Sequence, residues 1–171
     1  DSGKGRMAEP KQIFEKLCYM LTPKWERSFR WLVTGGASRE YIDPVRFVTN
    51  GSSGKMGLSI AHAAALRGQS VHFIGGNVAS LPENALFSAE NAVSAHDIYT
   101  KVSEKVPSAD ILIMSAAVAD YTPQKSEHKI KKGEGNLVLE FSRTKDVLFE
   151  TMSRIYKICN NHVKSFCFKL F

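Results

Sequence analysis

The sequence has few cysteines and no long apolar run. Its three cysteines, Cys18, Cys159 and Cys167, are odd in number and have no paired spacing, so a disulfide framework is not expected. Cys159 and His162 are close enough in sequence to share a metal ion, but no second ligand pair lies near them. No apolar run reaches the length of a membrane span, and the first residues lack the apolar core of a signal peptide. We therefore expect a soluble, cytoplasmic protein with reduced thiols and no membrane partner.

Acidic side chains are fewer than basic ones, with 17 Asp and Glu against 23 Lys and Arg, which leaves a net charge of +6. Such a charge suits either general affinity for nucleic acid or a local pocket for an anionic small molecule. The basic residues are scattered, apart from one cluster formed by Lys129, Lys131 and Lys132. Because this cluster lies in a glycine-containing loop, it suits a phosphate better than a DNA groove. We expect a solvated basic surface and no nucleic-acid partner.

Strands and helices alternate along the chain of 171 residues, whose length and 43% hydrophobic content suit one globular domain. Strands are predicted at residues 30–34, 70–74, 85–89, 111–115, 136–141 and 163–168, and helices at residues 13–21, 54–67, 92–106 and 147–158. Residues 37–53 are predicted to form an irregular loop. The uninterrupted apolar run at 111–115 is typical of a strand buried on both faces of a parallel sheet. The pattern predicts an α/β fold, a Rossmann-like doubly wound and mostly parallel sheet.

Two of the predicted helices have recognisable buried faces. In the second helix, Met56, Ile60 and Ala64 share one face, and Ser52 or Ser53 is the expected N-cap. In the third helix, the buried positions are expected to be Val93, Ile98, Val102 and Val106.

A Gly- and Ser-rich segment joins the first strand region to the second helix. Residues 50–57 read Asn-Gly-Ser-Ser-Gly-Lys-Met-Gly. Unpaired backbone N–H groups and the positive end of the helix dipole can make such a junction an anion site, although the same pattern also occurs in loops that only cap a helix. The residues expected to contact an anion or nucleotide here are Gly35, Gly36, Ser52, Ser53, Gly54, Lys55 and Met56.

Three blocks of sequence, in this order and separation, resemble the signature of the phosphopantothenoylcysteine synthetases. The first block is Thr-Gly-Gly at 34–36 together with the run at 39–57, which includes Asp-Pro-Val-Arg at 43–46. The second block is Ser-Ala-Ala-Val-Ala-Asp-Tyr at 115–121, and the third is Lys-Ile-Lys-Lys at 129–132. The resemblance implies a two-step ligase reaction. A nucleotide activates the carboxylate of 4′-phosphopantothenate as an acyl-nucleotidylate with release of pyrophosphate, and the amine of cysteine then displaces the nucleoside monophosphate.

The resemblance also implies roles for individual catalytic residues. Asn50 would hydrogen-bond the acyl carbonyl and stabilise the charge that develops there during amide formation. Arg46 would orient its loop or meet the anionic substrate. Lys129 would meet the triphosphate and assist activation, supported by Lys131 and Lys132.

The second block is expected to contact the nucleotide. Asp120 follows the apolar strand, at the edge where open α/β sheets bind ligands, and would hold Mg²⁺ bridging nucleotide phosphates or contact the ribose. Ala116 and Ala117 would leave space for the pyrimidine.

The ends of the chain resemble parts of a longer protein. Residues 3–10 resemble the end of the flavin-dependent decarboxylase that precedes the synthetase in bifunctional bacterial coenzyme A biosynthesis proteins. Residues 1–28 are therefore expected to be a linker and the tail of a decarboxylase domain whose FMN lies outside this chain, and residues 29–171 the synthetase domain. The resemblance implies that this domain is incomplete at its C-terminus, because the sequence stops before the segment that supplies a further helix and a Lys-rich nucleotide loop in the family. Cys167 and Phe171 also stand where the family usually has Gly and Glu.

The fusion of a decarboxylase with the synthetase in the bacterial proteins implies CTP as the nucleotide in preference to ATP. Family members are dimers, so a homodimer is expected as well, with residues 129–141 as the expected contact region.

A nicotinamide-dependent dehydrogenase is one alternative, because the spacing of Tyr121 and Lys125 mimics a short-chain reductase pair. That pair requires consecutive turns of a helix, and Pro123 lies between the two residues. The sequence Gly-Gly-Asn at 75–77 also provides no acid for the ribose of NAD. The second alternative is a non-enzymatic regulatory subunit, as some relatives of the family are, but the presence of Asn50, Lys129 and Asp120 argues against it.

Overall fold

The computed structural model describes residue 5 and residues 7–78, 86–158 and 166–169. The strands are β1 (Arg30–Gly35), β2 (Arg39–Tyr41), β3 (Phe47–Thr49), β4 (Ser70–Gly75), β5 (Ser88–Asn91), β6 (Ile111–Met114), β7 (Tyr121–Pro123), β8 (Phe141–Arg143) and β9 (Phe166–Lys169). The helices are α1 (Pro10–Leu21), α2 (Lys55–Leu66), α3 (Ala95–Lys105) and α4 (Val147–Ile158), with a 3-10 turn at Val106–Ser108.

Five of these strands form the central sheet, in the order β5-β4-β1-β6-β9, and every neighbouring pair is parallel. Side chains alternate between the two faces of the strands. Leu32, Ile74 and Leu112 pack on the side of α3 and α4. Phe73 and Ile113, with their neighbours, pack on the side of α2. Helices therefore cover both faces, and the predicted doubly wound α/β fold is confirmed.

Helix α2 packs on the sheet through small residues. Its buried positions are Gly57, Ala61, Ala64 and Ala65. A Cβ added at Gly57 would lie 2.5 Å from Ser115 Oγ and 2.7 Å from the Thr34 carbonyl oxygen, so only glycine fits this close contact.

Two of the three positions predicted to be buried on α2 are not buried. Ala64 is buried as predicted, but Ile60 is only partly buried and Met56 is 42% exposed. The larger side chains lie off the contact because the helix approaches the strands too closely to accommodate them.

Residues 37–53 are not an irregular loop, as the sequence predicted, but contain an antiparallel hairpin of β2 and β3. The N-cap prediction was also wrong. Gly54 is the N-cap of α2, with a left-handed φ of 74°, and no side chain caps it. A Cβ there would lie 2.9 Å from the Gly36 backbone nitrogen, so neither Ser52 nor Ser53 could take this place.

Other boundaries moved by a few residues. Helix α3 begins one turn later than predicted, because Ser94 and Asp97 form a capping box, and Val93 is 39% exposed instead of buried. Of the strand predicted at 136–141, only Phe141 is in a strand, where β8 pairs with β7. The strand predicted at 85–89 only overlaps β5, which begins three residues later, and residue 85 lies outside the described residues. The strand predicted at 163–168 overlaps β9, with residues 163–165 outside the described residues.

Helix α1 was predicted as a short amphipathic helix, and it begins at Pro10 and ends at Leu21. None of its residues is buried. No helix in the described segments is long and apolar enough to cross a membrane. Cys159 and His162 lie outside the described residues.

Candidate active site

The site lies at the carboxyl edge of the sheet, between β1 and β6. The chain leaves β1 towards β4 on one side and leaves β6 towards β9 on the other, so the strand order reverses here. Open α/β sheets bind ligands at such a switch point. The loops after the two strands are joined directly, because Ala117 N donates to the Gly36 carbonyl at 2.7 Å and Ser38 N donates to the Ala117 carbonyl at 3.2 Å.

The Gly–Ser segment lines a hollow of about 450 Å³ at this edge. The residues lining the Gly–Ser hollow are Asn50, Gly51, Ser52, Ser53, Gly54, Lys55, Met56, Gly57, Ser115 and Ala117. Since α2 has no side-chain cap, the unpaired N–H groups of its first turn and the positive end of its dipole lie beside this hollow. Such an arrangement of backbone donors suits an anion.

Gly35 and Gly36 lie behind the Gly–Ser hollow and are not part of its lining. Gly36 has a φ of 85°, and its backbone nitrogen packs against Gly54. The two glycines allow the end of β1 and the start of α2 to approach each other closely.

A second hollow, of about 610 Å³, lies on the other side of Asn50. Its lining combines the loop after β6 with the segment between β8 and α4: Asn50, Met114, Ala116, Ala117, Val118, Ala119, Asp120, Tyr121, Arg143, Thr144, Lys145, Asp146, Val147 and Leu148. Asn50 and Ala117 line both hollows. The side-chain amide of Asn50 donates to the Ala117 carbonyl at 3.2 Å, so Asn50 forms part of the wall between the two hollows.

Asp120, the predicted magnesium ligand, is exposed and lines the second hollow. Its backbone carbonyl accepts a hydrogen bond from Thr144 N at 2.9 Å. Asp146 lines the same hollow, but its carboxylate accepts from Phe149 N at 2.9 Å at the start of α4. The described residues contain no group of three His, Cys, Asp or Glu side chains that could hold a metal ion. As a single exposed carboxylate, Asp120 fits only an ion that takes its other ligands from elsewhere, such as phosphate oxygens.

Arg46 is paired with a carboxylate that lies below the protein surface. Asp43 is fully buried, and it accepts from Arg46 Nε at 3.0 Å and from Nη2 at 2.6 Å. The Arg46 guanidinium is the main cause that lowers the pKa of Asp43. Burial opposes this shift, whereas the N–H groups of Val45, Arg46 and Ile130 add to it. Arg46 Nη2 also donates to the Ile130 carbonyl at 2.8 Å.

The lysine cluster lies beside Arg46 and not beside the Gly–Ser segment. Lys129, Lys131 and Lys132 are exposed and line a third hollow, of about 860 Å³, with Val45, Arg46 and residues 133–137. This hollow shares no lining residue with the other two. The structure therefore brings Asn50, the Gly–Ser segment and the loop after β6 together, and it holds the lysines apart from them.

Several residues at the site were not expected from the sequence. Ser115 Oγ donates to the Thr34 carbonyl at 2.5 Å, and Thr34 Oγ1 accepts from Ser115 N and Ala116 N at 3.2 Å, which fixes the start of the loop after β6. Thr144 and Lys145 line the second hollow. Asp146 ahead of an apolar helical pattern is an N-cap signal that could have located this segment.

The reductase-like pair is not helical. Tyr121 lies in β7, and Lys125 lies beyond that strand with its ammonium 5.9 Å from the centre of the Tyr41 ring. The geometry that a short-chain reductase requires is therefore absent from these residues.

A parallel sheet with helices on both faces and a glycine-rich loop at its switch point defines a Rossmann-like α/β protein. The chain belongs to the family described as the DNA/pantothenate metabolism flavoprotein C-terminal domain, which matches residues 27–162. The resemblance found in the sequence is thus confirmed.

Three known proteins illustrate this relationship. The chain is 42% identical over 156 residues to the coenzyme A biosynthesis bifunctional protein CoaBC of Mycobacterium tuberculosis (strain ATCC 25618 / H37Rv), a match that covers 86% of this chain and 37% of that protein. It is 37% identical over 155 residues to a cysteine/cysteine sulfinic acid decarboxylase from an unknown prokaryotic organism, a match that covers 87% of this chain and 43% of that protein. The crystal structure of the C-terminal domain of CoaBC matches with 35% identity and a TM-score of 0.63, over 81% of this chain and 62% of that one. The chain spans less than two thirds of each relative.

Proposed function

We propose that the chain is a phosphopantothenate–cysteine ligase, which activates 4′-phosphopantothenate with CTP as an acyl-cytidylate and joins it to cysteine in the cytoplasm. The observation that carries this proposal is the position of Asn50 on the wall shared by the Gly–Ser hollow and the second hollow. Relatives differ in the activities that their names describe, a CoaBC protein in one case and a decarboxylase in the other. The proposal therefore rests on the site as well as on family membership.

In the first step, the Gly–Ser hollow binds the phosphates of the nucleotide. Uncapped N–H groups and the dipole of α2 favour negative charge there, and Ser52, Ser53 and Lys55 add donors. Ala116, Ala117 and Asp120 contact the rest of the substrates in the second hollow, and a Mg²⁺ ion held by Asp120 would neutralise phosphate charge. The substrate carboxylate then meets the phosphate beside Asn50, which lowers the entropic cost of the reaction.

In the second step, the amine of cysteine attacks the activated acyl carbon. The carbonyl oxygen gains negative charge in the transition state, and a preorganised donor aimed at that oxygen stabilises it. The amide N–H of Asn50 performs this role. The amide gives up its hydrogen bond to the Ala117 carbonyl and donates to the developing oxyanion instead.

The segment at 129–137, called the lysine loop, acts on the first step. Lys129 meets the triphosphate, with Lys131 and Lys132 in support, so the side chains of these lysines have to reach from the third hollow towards the Gly–Ser hollow when nucleotide binds. Arg46 orients this region. We further propose that two copies form a homodimer with residues 129–141 in the contact.

Pyrophosphate release tests this function directly. The chain is mixed with 4′-phosphopantothenate and either CTP or ATP, each with and without cysteine. We expect release with CTP to exceed release with ATP, and amide product only when cysteine is present. No release with either nucleotide would refute the ligase assignment, and equal release with both would refute the choice of CTP.

A further inference from the structure

We infer that Asp43 is a positioning residue that holds the lysine loop, through Ile130, in place for reaction with the nucleotide. The inference rests on the proposed function for its effect on catalysis. Asp43 lines none of the three hollows around the described site, so its carboxylate cannot reach a substrate bound there. Any effect of Asp43 on the reaction must therefore be transmitted through the groups that it binds.

Both oxygens of the Asp43 carboxylate accept hydrogen bonds from more than one donor. Oδ1 accepts from Val45 N and Arg46 N, each at 2.8 Å, and so closes the turn between β2 and β3. Oδ2 accepts from the Arg46 guanidinium and, at 3.2 Å, from Ile130 N, which lies 87 residues further along the chain. A buried carboxylate with this many donors is held firmly, because each donor offsets part of the cost of burying its charge.

Ile130 is held at both of its backbone polar groups. Its N–H donates to Asp43 Oδ2, and its carbonyl accepts from Arg46 Nη2 at 2.8 Å. A third contact to the same turn comes from Ser126 N, which donates to the Ile42 carbonyl at 2.8 Å. The turn formed by residues 42–46 is thus the anchor of the segment that carries the lysines.

The lysines at 129 and 131 are the direct neighbours of Ile130 in the chain. Adjacent Cα atoms lie about 3.8 Å apart, so fixing the Ile130 backbone fixes where both side chains begin. The lysine ammonium groups themselves remain exposed and can follow a ligand. The same turn leads through β3 to Asn50, so the anchor also links the lysine loop to the Gly–Ser segment.

Asp43→Asn tests this inference, because it keeps the shape of the side chain but removes the charge and one acceptor for Ile130 N. The control is Asp110→Asn, which disrupts a remote and more exposed Asp–Arg pair, that of Asp110 with Arg30. We expect pyrophosphate release by Asp43→Asn to fall by about 10- to 100-fold, since a displacement of about 1 Å can have such an effect. Amide formation from preformed acyl-cytidylate should stay within about threefold of the wild type.

A double-mutant cycle with Lys129→Ala separates positioning from a general structural effect. If Asp43 acts through the lysine loop, the double variant releases pyrophosphate no more slowly than Lys129→Ala alone. Additive losses would overturn the inference.

Limited trypsin digestion provides a readout that does not depend on activity. We expect Asp43→Asn to be cleaved after Lys129, Lys131 or Lys132 at least tenfold faster than Asp110→Asn, because the loop is no longer anchored. Should Asp43→Asn fail to fold, Arg46→Lys replaces it, since lysine cannot bind Asp43 and the Ile130 carbonyl at once with fork geometry. Unchanged cleavage at these lysines overturns the inference. If Asp43→Asn is cleaved faster but the wild type releases no pyrophosphate, the anchoring is supported and the ligase function is rejected.

Discussion

The side-chain amide of Asn50 donates a hydrogen bond to the backbone carbonyl of Ala117 at 3.2 Å. This bond joins the segment before α2 to the loop after β6, and it places a polar amide on the wall between the two hollows. Since the bond is long and Asn50 is exposed, the amide can exchange the Ala117 carbonyl for a substrate oxygen at low cost. Asn50 is therefore the first residue to test.

Replacing Asn50 with alanine should separate the two steps of the reaction. We expect Asn50→Ala to slow amide formation by about 100-fold, the typical effect of losing one oxyanion donor, and to change pyrophosphate release by less than about threefold. Quenched-flow measurement of both products resolves the steps. Gln124→Ala, which removes an exposed amide outside the hollows, should leave both rates unchanged. Equal slowing of the two steps by Asn50→Ala would rule out the proposed role.

Lys129→Ala should affect the activation step instead. A charged hydrogen bond contributes about 1.5–3 kcal/mol, so we expect pyrophosphate release to slow by about 10- to 100-fold at low salt. The loss should shrink as ionic strength rises, because salt screens exposed charges. Lys11→Ala, an exposed charge on α1, removes the same formal charge and is the control. If the two variants release pyrophosphate at the same rate, Lys129 has no specific role in activation.

The close contact between α2 and the sheet can be tested with two glycines of the same segment. Gly57→Ala should lower the free energy of unfolding by about 1–3 kcal/mol, because the new Cβ would overlap Ser115 Oγ and the Thr34 carbonyl. Gly51→Ala is the control, since a Cβ there meets nothing within 4 Å. Urea denaturation of both variants measures the difference. Equal stability of the two variants would contradict the packing described for Gly57.

Glu90 should make stability depend on pH in the acid range. Burial is the largest influence on the pKa of Glu90 and raises it, but hydrogen bonds from Lys101 and His72, with the charge of Lys105, together lower the pKa from 4.5 to about 2. Because the pKa in the folded state is below that in the unfolded state, ionised Glu90 stabilises the fold above about pH 4.5. This contribution is lost as the pH falls from there towards about 2.

Glu90→Gln isolates this contribution. The difference in unfolding free energy between wild type and Glu90→Gln should stay constant well above pH 4.5 and shrink as the pH falls from about 4.5 towards about 2, as measured by urea denaturation. Glu134→Gln, at an exposed position in the lysine loop, removes the same formal charge and is the control. A constant difference for Glu90→Gln would mean that its carboxylate is not preferentially stabilised in the folded protein.

Strands β1, β4 and β6 and helix α4 were predicted from sequence with errors of at most one residue. Strand β6 is apolar throughout, and β1 and β4 each contain an apolar stretch, at 31–33 and at 73–74, as strands with both faces buried require. The hairpin of β2 and β3 was missed because its strands are three residues long and one of them is exposed along its length. Such short strands carry little periodicity, and their pairing depends on a turn that Asp43 closes with its side chain.

The candidate site was predicted in part. The Gly–Ser segment was predicted because a helix N-terminus that follows glycines presents backbone donors by local geometry alone. The distinct hollows on either side of Asn50, and the position of the lysines in a third, could not be predicted because each hollow is lined by segments far apart in the chain. The N-cap was assigned to a serine because no local rule shows that Gly54 packs against Gly36.

By itself, the sequence determined the fold class, the family and the segments proposed to form the site, because strand composition, helix periodicity and glycine-rich junctions are local properties of the chain. The tertiary structure alone decided which of those segments meet. It joined Asn50 to Ala117 across the two loops, and it tied Asp43 to Ile130 over 87 residues. Such contacts depend on how strands are ordered and how closely helices pack on them, and these are set by the burial of the whole core and not by any one segment.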